Sequence, residues 1–481
     1  MKRIVIAAFL VATCAFAQQA TPPPPAAPRE AKVPQPVEKT LANGLRVIVV
    51  AKHDVPLVAA RLLVKTGSEA DPRGKEGVAS LTSTVLTKGT KTRNAEQIAR
   101  GVENLGAQLN AGADWDSSEV GISVMSTNLE KAMETVADVV RSPTFPKEEF
   151  EREQQQAVDE LSVSLREPRA LAGFVVSKVL FAETPYGHNV GGTPASLGKI
   201  MRDDLVKFHQ AYYRPNNAIL VFAGDVNANA VFALAEKQFG GWAKGNAAPS
   251  LKVPAGEELP GPRVVVVDLP DAGQAAVVVA RRGLRRSDTQ YYAALVTNSI
   301  LGGGYSSRLN QEVRIKRGLS YGAGSGFELR RDVGPFTASA QTKNESAAEV
   351  AGIIIDEINK LSSTDVPESE LTPRKAVLIG GFARGLETSS GIADRVSTLA
   401  LYGLPLTDIN KYIGSVQAVG NEQVRTFAGK NLGGEGASIV IVGDAKKFIE
   451  PLKAKFENVE VIPVAELDLS SAALRERKVK Q

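Results

Sequence analysis

At 481 residues the chain is too long for a single hydrophobic core. Its 43% hydrophobic and 23% charged residues are those of a folded globular protein, not a disordered or fibrous one. The formal net charge is only +4, and the one basic run, "LRERKVK", lies at the extreme end, so charge gives no case for nucleic acid. The opening "MKRIVIAAFLVATCAFA" places Lys2 and Arg3 before an apolar run and ends in Ala15-Phe16-Ala17. That is the pattern of a secretory signal, residues 1–17, cleaved after Ala17. Cys14 offers the alternative of a lipoprotein anchor, for which Thr13 is a poor preceding residue. Cleavage leaves 55 basic against 53 acidic residues, a net +2, and removes the only cysteine. The mature chain then has no disulfide, no thiol nucleophile and no cysteine metal site. No other apolar run approaches the roughly 20 residues of a membrane span. An exported, periplasmic protein is expected.

Residues 18–36, with "TPPPPAAPREAKVPQP", read as an extended, proline-rich lead-in. A second Pro/Gly-rich stretch, 247–262, reads as a linker between two halves, 37–246 and 263–465, with a charged, solvated tail over 466–481. The halves repeat each other. Strand-like runs open both, "LRVIVVAKHDVPLVAARLLVKTG" and "RVVVVDLPDAGQAAVVVARRG", and helix-like runs follow at 76–88 and 288–301. Further helices are expected over 127–140, where Leu129, Met133, Val136 and Val140 form a stripe, and over 343–358. Both halves close on a near-identical strand and turn, "AILVFAGDV" and "ASIVIVGDA", with Asp225 and Asp444 219 residues apart. A duplicated α+β unit follows: two α/β-sandwich halves in a clam-like pair, with a cleft or chamber between them.

One helix draws attention. "GVASLTSTVLTKGT", 77–90, has the spacing of a buried helix and carries hydroxyls at Ser80, Ser83 and Thr84 on one face. Zinc hydrolysis on a helix needs two histidines at i and i+4 with a glutamate general base between them. The chain's three histidines, His53, His188 and His209, are far apart in sequence, so that arrangement is excluded on ligand count. A serine nucleophile would need a base and a group to orient it, and no histidine is near in sequence. Packing, or back-bonding to the preceding turn, is the plainer role for these hydroxyls. "LGGGYSSRL", 301–309, lacks the order of a phosphate loop. Gly302, Gly303 and Gly304 fit a flexible turn or a close backbone approach. His188 reads as a structural loop residue.

The segment "GSEADPRGKEGVASLTSTVLTKGT" resembles the signature of the insulinase/pitrilysin (M16) metallopeptidases, in which G-[LV]-A-H-L-x-E-H precedes x-x-x-K-G-T. The family's His, Glu and His fall on Ser80, Ser83 and Thr84. The likeness continues through "NLGAQLNAGADWD", "VVRSPTFPKEEFERE", "TPYGHNVGGTPASLGKI", "YYRPNNAILVFAGDV" and "LGGGYSSRLNQEVRIKRGLSYGAGSG", essentially the whole mature chain. The family's third ligand would be Glu160, 76 positions after Thr84, left without partners and otherwise a charged helix position. In "QEVRIKRGLSY", Arg314 and Tyr321 match the Arg/Tyr pair with which the family grips the substrate backbone across the chamber from zinc. Both are hydrogen-bond donors suited to a peptide carbonyl, and Gly318 is suited to end the helix between them. The resemblance implies a zinc-less subunit of an M16 peptidase heterodimer. It has no cofactor of its own, zinc is expected in the partner, and Arg314 and Tyr321 act on a peptide substrate. The alternative is a scaffold or peptide-binding protein without a catalytic role, as the fold serves in mitochondrial respiratory core subunits.

Overall fold

The computed structural model describes residues 32–246 and 260–475. The signal segment, the lead-in as far as residue 31, most of the linker and residues 476–481 lie outside them.

Twelve strands among the described residues form two six-stranded sheets. The first contains β1 (Val37–Thr40), β2 (Arg46–Ala51), β3 (Leu57–Val64), β4 (Gln108–Ala113), β5 (Ser118–Met125) and β6 (Ala218–Gly224), in spatial order β1-β2-β6-β3-β5-β4. The second contains β7 (Val264–Asp268), β8 (Ala275–Arg282), β9 (Ser320–Phe327), β10 (Pro335–Thr342), β11 (Ser438–Gly443) and β12 (Val459–Pro463), in order β12-β7-β11-β8-β10-β9. In both, the opening strand runs parallel to the closing one (β2 with β6, β7 with β11) and the remaining inner pairs are antiparallel. Only the outermost strand differs: β1 is antiparallel to β2, whereas β12 is parallel to β7. The duplication read in the sequence is a duplication of topology.

The helices that position the site are α1 (Val78–Leu86), α2 (Leu129–Arg141), α3 (Lys147–Ser164), α4 (Pro168–Phe181), α5 (Arg202–Tyr212), α6 (Tyr291–Leu301), α7 (Ala347–Ser363) and α8 (Ser389–Leu401). The central strands are apolar throughout because both of their faces are covered. Along β6, Leu220 and Phe222 face the first half's own helices, while Ile219, Val221 and Ala223 face a core that contains Ile392, Ala393 and Val396 of α8. The second sheet returns the arrangement. Ile439 and Ile441 of β11 face its own helices, and Val440 and Val442 pack with Leu171, Val175 and Val179 of α4. Each half lends one helix to the back of the other's sheet, and the two helices begin at Pro168 and Ser389, nearly the repeat spacing of Asp225 and Asp444.

Two segments at the ends of the described chain are held against the body. In the lead-in, Val33 is buried; its N–H donates to Asn410 Oδ1 (2.9 Å) and its carbonyl accepts from Asn410 Nδ2 (3.0 Å). The tail is laid on the body as far as Arg475. Leu474 is fully buried, Ala472 N–H donates to Glu183 (2.8 Å), and the Ala472 carbonyl accepts from Arg263 (2.9 Å). A few apolar side chains inside charged sequence suffice to anchor such segments.

Candidate functional site

Helix α1 starts and stops as its sequence directs. Gly77, at φ +104°, takes the left-handed turn before the first residue, and the Asp71 carboxylate accepts the N–H groups of Gly77 (2.7 Å) and Ala79 (2.8 Å). It thereby satisfies donors the helix leaves free at its N-terminus. Burial pushes the Asp71 carboxyl well above its ordinary value, against these two hydrogen bonds.

The three hydroxyl positions are already engaged or packed. Ser83 is fully buried and its Oγ lies 3.2 Å from the phenol oxygen of Tyr213, just past α5. Thr84 Oγ1 donates back to the Ser80 carbonyl (3.1 Å), and Ser80 itself is half-buried. Glu160 is exposed on α3, where its carboxylate accepts from Gln156 Nε2 (2.9 Å). The histidines do not converge on this face. His53 is exposed and meets Asp225 at 2.7 Å. His188 is held in its loop by the Asn189 carbonyl (2.9 Å) and tilts against Trp115. His209 contacts the Val140 carbonyl (2.7 Å), with its ring stacked on Tyr213, and burial pushes its pKa down to about 4. Ser83 therefore meets a phenol, not an imidazole base. Among the described residues no three His, Cys, Asp or Glu side chains are grouped to hold a metal ion.

Arg314 and Tyr321 are brought together. The segment Gln311–Lys316 winds as one wide π turn, a feature often found at functional sites. It then ends in a left-handed glycine cap: Gly318, at φ +62°, donates its N–H to the Arg314 carbonyl (3.0 Å), and Leu319 N–H donates to the Val313 carbonyl (2.8 Å). The chain reverses into edge strand β9 and returns Tyr321 to Arg314, whose guanidinium carbon lies 4.6 Å from the Tyr321 ring centre. A second ring, that of Tyr305, has its centre 5.1 Å from the same carbon. Tyr321 is 89% and Tyr305 65% exposed. Glu312, the nearest carboxylate in sequence, is taken by Lys316 (2.5 Å) and Arg317. Among the described residues Arg314 has no ion-pair partner, and it stands beside two tyrosine rings at the surface. Tyr305 was not singled out in the sequence. Its signal lay in the glycine-rich segment, where Gly302 lets β9 approach: its carbonyl accepts from Ser325 N–H (3.1 Å), and an added Cβ would lie 2.2 Å from that nitrogen.

A third feature joins the halves. The loop between β9 and β10 reaches into the first half, where Arg331 donates to Glu69 Oε1 (2.9 Å) and to the carbonyls of Asp116 (2.8 Å) and Lys65 (3.0 Å). The buried Asp116 carboxylate accepts from Tyr186 (2.6 Å), Tyr402 (3.1 Å) and the Arg331 N–H (2.6 Å). Burial pushes the Glu69 carboxyl up to about 7, with Arg331 opposing the shift. Burial likewise raises the phenols of Tyr186 and Tyr402. Next to this junction a cavity of about 640 Å³ runs along β4 between the halves.

Two six-stranded sheets of like topology, each with its own helices and one helix lent by the other half, define a duplicated α/β-sandwich fold. The model of the insulinase family (peptidase family M16) matches residues 46–193, and that of the peptidase M16 inactive domain matches residues 199–378. An uncharacterized zinc protease of Rickettsia bellii is 30% identical over 323 residues, 67% of this chain and 77% of that one. One of Mycobacterium leprae is 29% identical over 390 residues, 81% of this chain and 87% of that one. The crystal structure of a peptidase M16 inactive domain from Pseudomonas fluorescens superposes with a TM-score of 0.79 at 29% identity, covering 85% of this chain and 98% of that one. A Helicobacter pylori protease, at 24% identity and TM-score 0.80, shares the fold. The chain belongs to the M16 peptidase family and resembles its inactive-domain members. The residues at the family's zinc positions do not fit the metal. The positions aligned with the family's two histidines are Ser80 and Thr84; Thr84 Oγ1 is spent on the Ser80 carbonyl, and neutral hydroxyls are poor ligands beside the imidazoles and carboxylates zinc prefers. No helix of the described residues is long and apolar enough to cross a membrane.

Proposed function

We propose that this chain is the zinc-less subunit of an exported, periplasmic M16 peptidase pair. It binds extended peptide and presents Arg314 and Tyr321 to the active site of a zinc-bearing M16 partner. The observation that carries the reading is Arg314: a guanidinium with no carboxylate partner among the described residues, beside two exposed tyrosines on a helix end closed by Gly318. A scaffold has no use for such a group, whereas a peptide carbonyl gaining negative charge in the transition state does. Among the described residues the outer edges of β4 and β9 have no strand partner, which suits peptide binding by strand addition, a mode that reads backbone more than sequence. Zinc belongs to the partner in this reading, and this chain contributes binding and orientation.

Reconstitution tests it. Peptide cleavage is measured for this chain, for a zinc-bearing M16 chain from the same cell, and for the mixture. The mixture is expected to cleave far faster than either chain alone. Arg314→Ala or Tyr321→Phe should slow the mixture about 100-fold or more, the usual scale for a lost oxyanion donor. Equal rates with and without this chain would refute the pairing. An unchanged rate in both variants would refute the role of the two residues and favour the scaffold.

A further inference from the structure

The π turn places Arg314, but the ladder of β9 alone does not place Tyr321. Against β10, Ala323 faces Ala340 and Ser320 faces Thr342, so Tyr321 and Gly322 together lie opposite Gln341. That two-against-one count is a β-bulge, which takes a residue off the ladder and re-aims its side chain. Tyr305 has still less local support, since it lies in the turn between α6 and the short helix Arg308–Asn310.

Asn310 holds both. Its side chain is buried, its Nδ2 donates to the Tyr305 carbonyl, and its Oδ1 accepts from the N–H of Ala323 (3.3 Å), where β9 rejoins the ladder. One buried amide therefore spans from the turn bearing Tyr305 to the strand bearing Tyr321, immediately before the π turn that bears Arg314. The turn is fastened at a further point by buried Arg374, which donates from Nη1 to Ser306 Oγ (2.8 Å) and from Nη2 to the Ser306 carbonyl. The backbone on both sides of Tyr305 is thus fixed, while its ring stays at the surface beside the Arg314 guanidinium.

That arrangement has a use. A long arginine side chain loses rotamer freedom when it binds, and a ring beside its guanidinium removes part of that freedom beforehand. An aromatic ring also leaves the guanidinium N–H groups free for a peptide carbonyl, where a carboxylate partner would occupy them.

We propose that Tyr305 is a positioning residue for Arg314, and that Asn310 is the buried anchor that sets Tyr305 and Tyr321 beside the guanidinium. The inference rests on the role given to Arg314 in the proposed function.

The test uses the full-length chain, alone and mixed with the zinc-bearing M16 chain. In the mixture Tyr305→Ala and Asn310→Ala should each lower kcat about tenfold and change KM by less than about twofold, because orientation of Arg314 is lost and peptide affinity is not. Tyr305→Phe keeps the ring and should keep kcat within about twofold of the unsubstituted chain. The chain alone, labelled with fluorotyrosine, is read by fluorine NMR, with the Tyr305 and Tyr321 lines identified by their loss in the Phe variants. Both lines should move in Arg314→Ala and in Asn310→Ala, while those of the remaining tyrosines stay and report an intact fold. Tyr305 is exposed, so its variants decide the matter even where Asn310→Ala does not fold. An unchanged kcat for Tyr305→Ala, in a mixture that Arg314→Ala slows, would overturn this inference and leave the proposed function standing. Tyr305→Phe as slow as Tyr305→Ala would place the effect in the hydroxyl and also overturn it. So would a Tyr305 line that does not move in Arg314→Ala. A mixture that Arg314→Ala does not slow would refute the role of Arg314 and this inference with it.

Discussion

Replacing Arg331 by Met should destabilise the chain in a way that depends on pH. The Arg331 guanidinium is the only cation on Glu69 among the described residues, and the Glu69 side chain is 2% exposed. Without it the carboxylate keeps only the Gly67 N–H, at 2.7 Å. Breaking a buried ion pair from one side costs about 3–5 kcal/mol. Arg331 is itself 38% exposed, so water can enter the gap, and about 3 kcal/mol is expected at pH 8.5. The sign of the pH effect follows from the Glu69 carboxyl, raised from 4.5 to about 7 in the folded chain. The folded state holds that proton more tightly than the unfolded state, so Glu69 lowers stability as pH climbs from 4.5 to 7, then levels off. Removing Arg331 moves the folded value higher still, and the variant goes on losing stability above pH 7. At pH 5.5 Glu69 is neutral in both folded forms, so the ion pair is already gone and only the guanidinium's hydrogen bonds to neutral acceptors are lost, about 1 kcal/mol net. With an unfolding entropy of about 2 cal/mol/K per residue, scanning calorimetry should give a fall in Tm of about 3 °C at pH 8.5 and about 1 °C at pH 5.5. An equal fall at both pH values, or a larger one in acid, would refute the assignment of a buried, proton-sensitive Glu69 pair.

Tyr213→Phe removes the partner of buried Ser83 and should cost about 1–2 kcal/mol in urea unfolding; an unchanged midpoint would show that the 3.2 Å contact contributes nothing. Ser80→His with Thr84→His restores imidazoles at i and i+4 on α1. The double variant should retain about one zinc per chain after desalting, read by elemental analysis, and uptake no better than Ser80→Ala with Thr84→Ala would show that the helix no longer aims these positions at a third ligand. Asn410→Ala removes both hydrogen bonds to Val33, so limited proteolysis should cut near residue 33 several-fold faster while the core stays intact; an unchanged rate would mean that burial of Val33 alone holds the segment.

The elements repeated in the sequence were the easiest to read, because duplicated strands and a helix frame leave local periodicity. Val78–Leu86 falls inside the expected 76–88 and Leu129–Arg141 overlaps 127–140. The helix exchange was harder to see. An all-apolar strand such as β6 announces that both faces are covered but not by which helix. The clue was in α4, whose "LAGFVVSKVLF" is apolar on nearly every side, as a helix between two packed layers must be. Pairings such as Arg331 with Glu69 span hundreds of residues and leave no periodic trace. Tyr305 was hidden differently: its role appears only when the Gly318 turn brings Tyr321 back to Arg314 and leaves the guanidinium beside two rings.

The exchange also decides where motion can occur. Seven residues of α4, from Leu171 to Phe181, sit in the core they share with the second sheet, and α8 repeats this against the first. Exposing one such helix face would cost roughly 10 kcal/mol at about 1.5 kcal/mol or more for each large side chain, before the Arg331 junction is counted. Opening the two halves as a clam is therefore far above thermal reach, and the described parts of the two halves behave as one interlocked body. The cavity along β4 must fill from the open strand edge. In the proposed pairing, any closure around a peptide would then fall to the contact with the second subunit and not to a hinge between these halves. Two halves locked by exchanged helices suit that proposed role, because the distance between β4 and the Arg314 surface is set within one body.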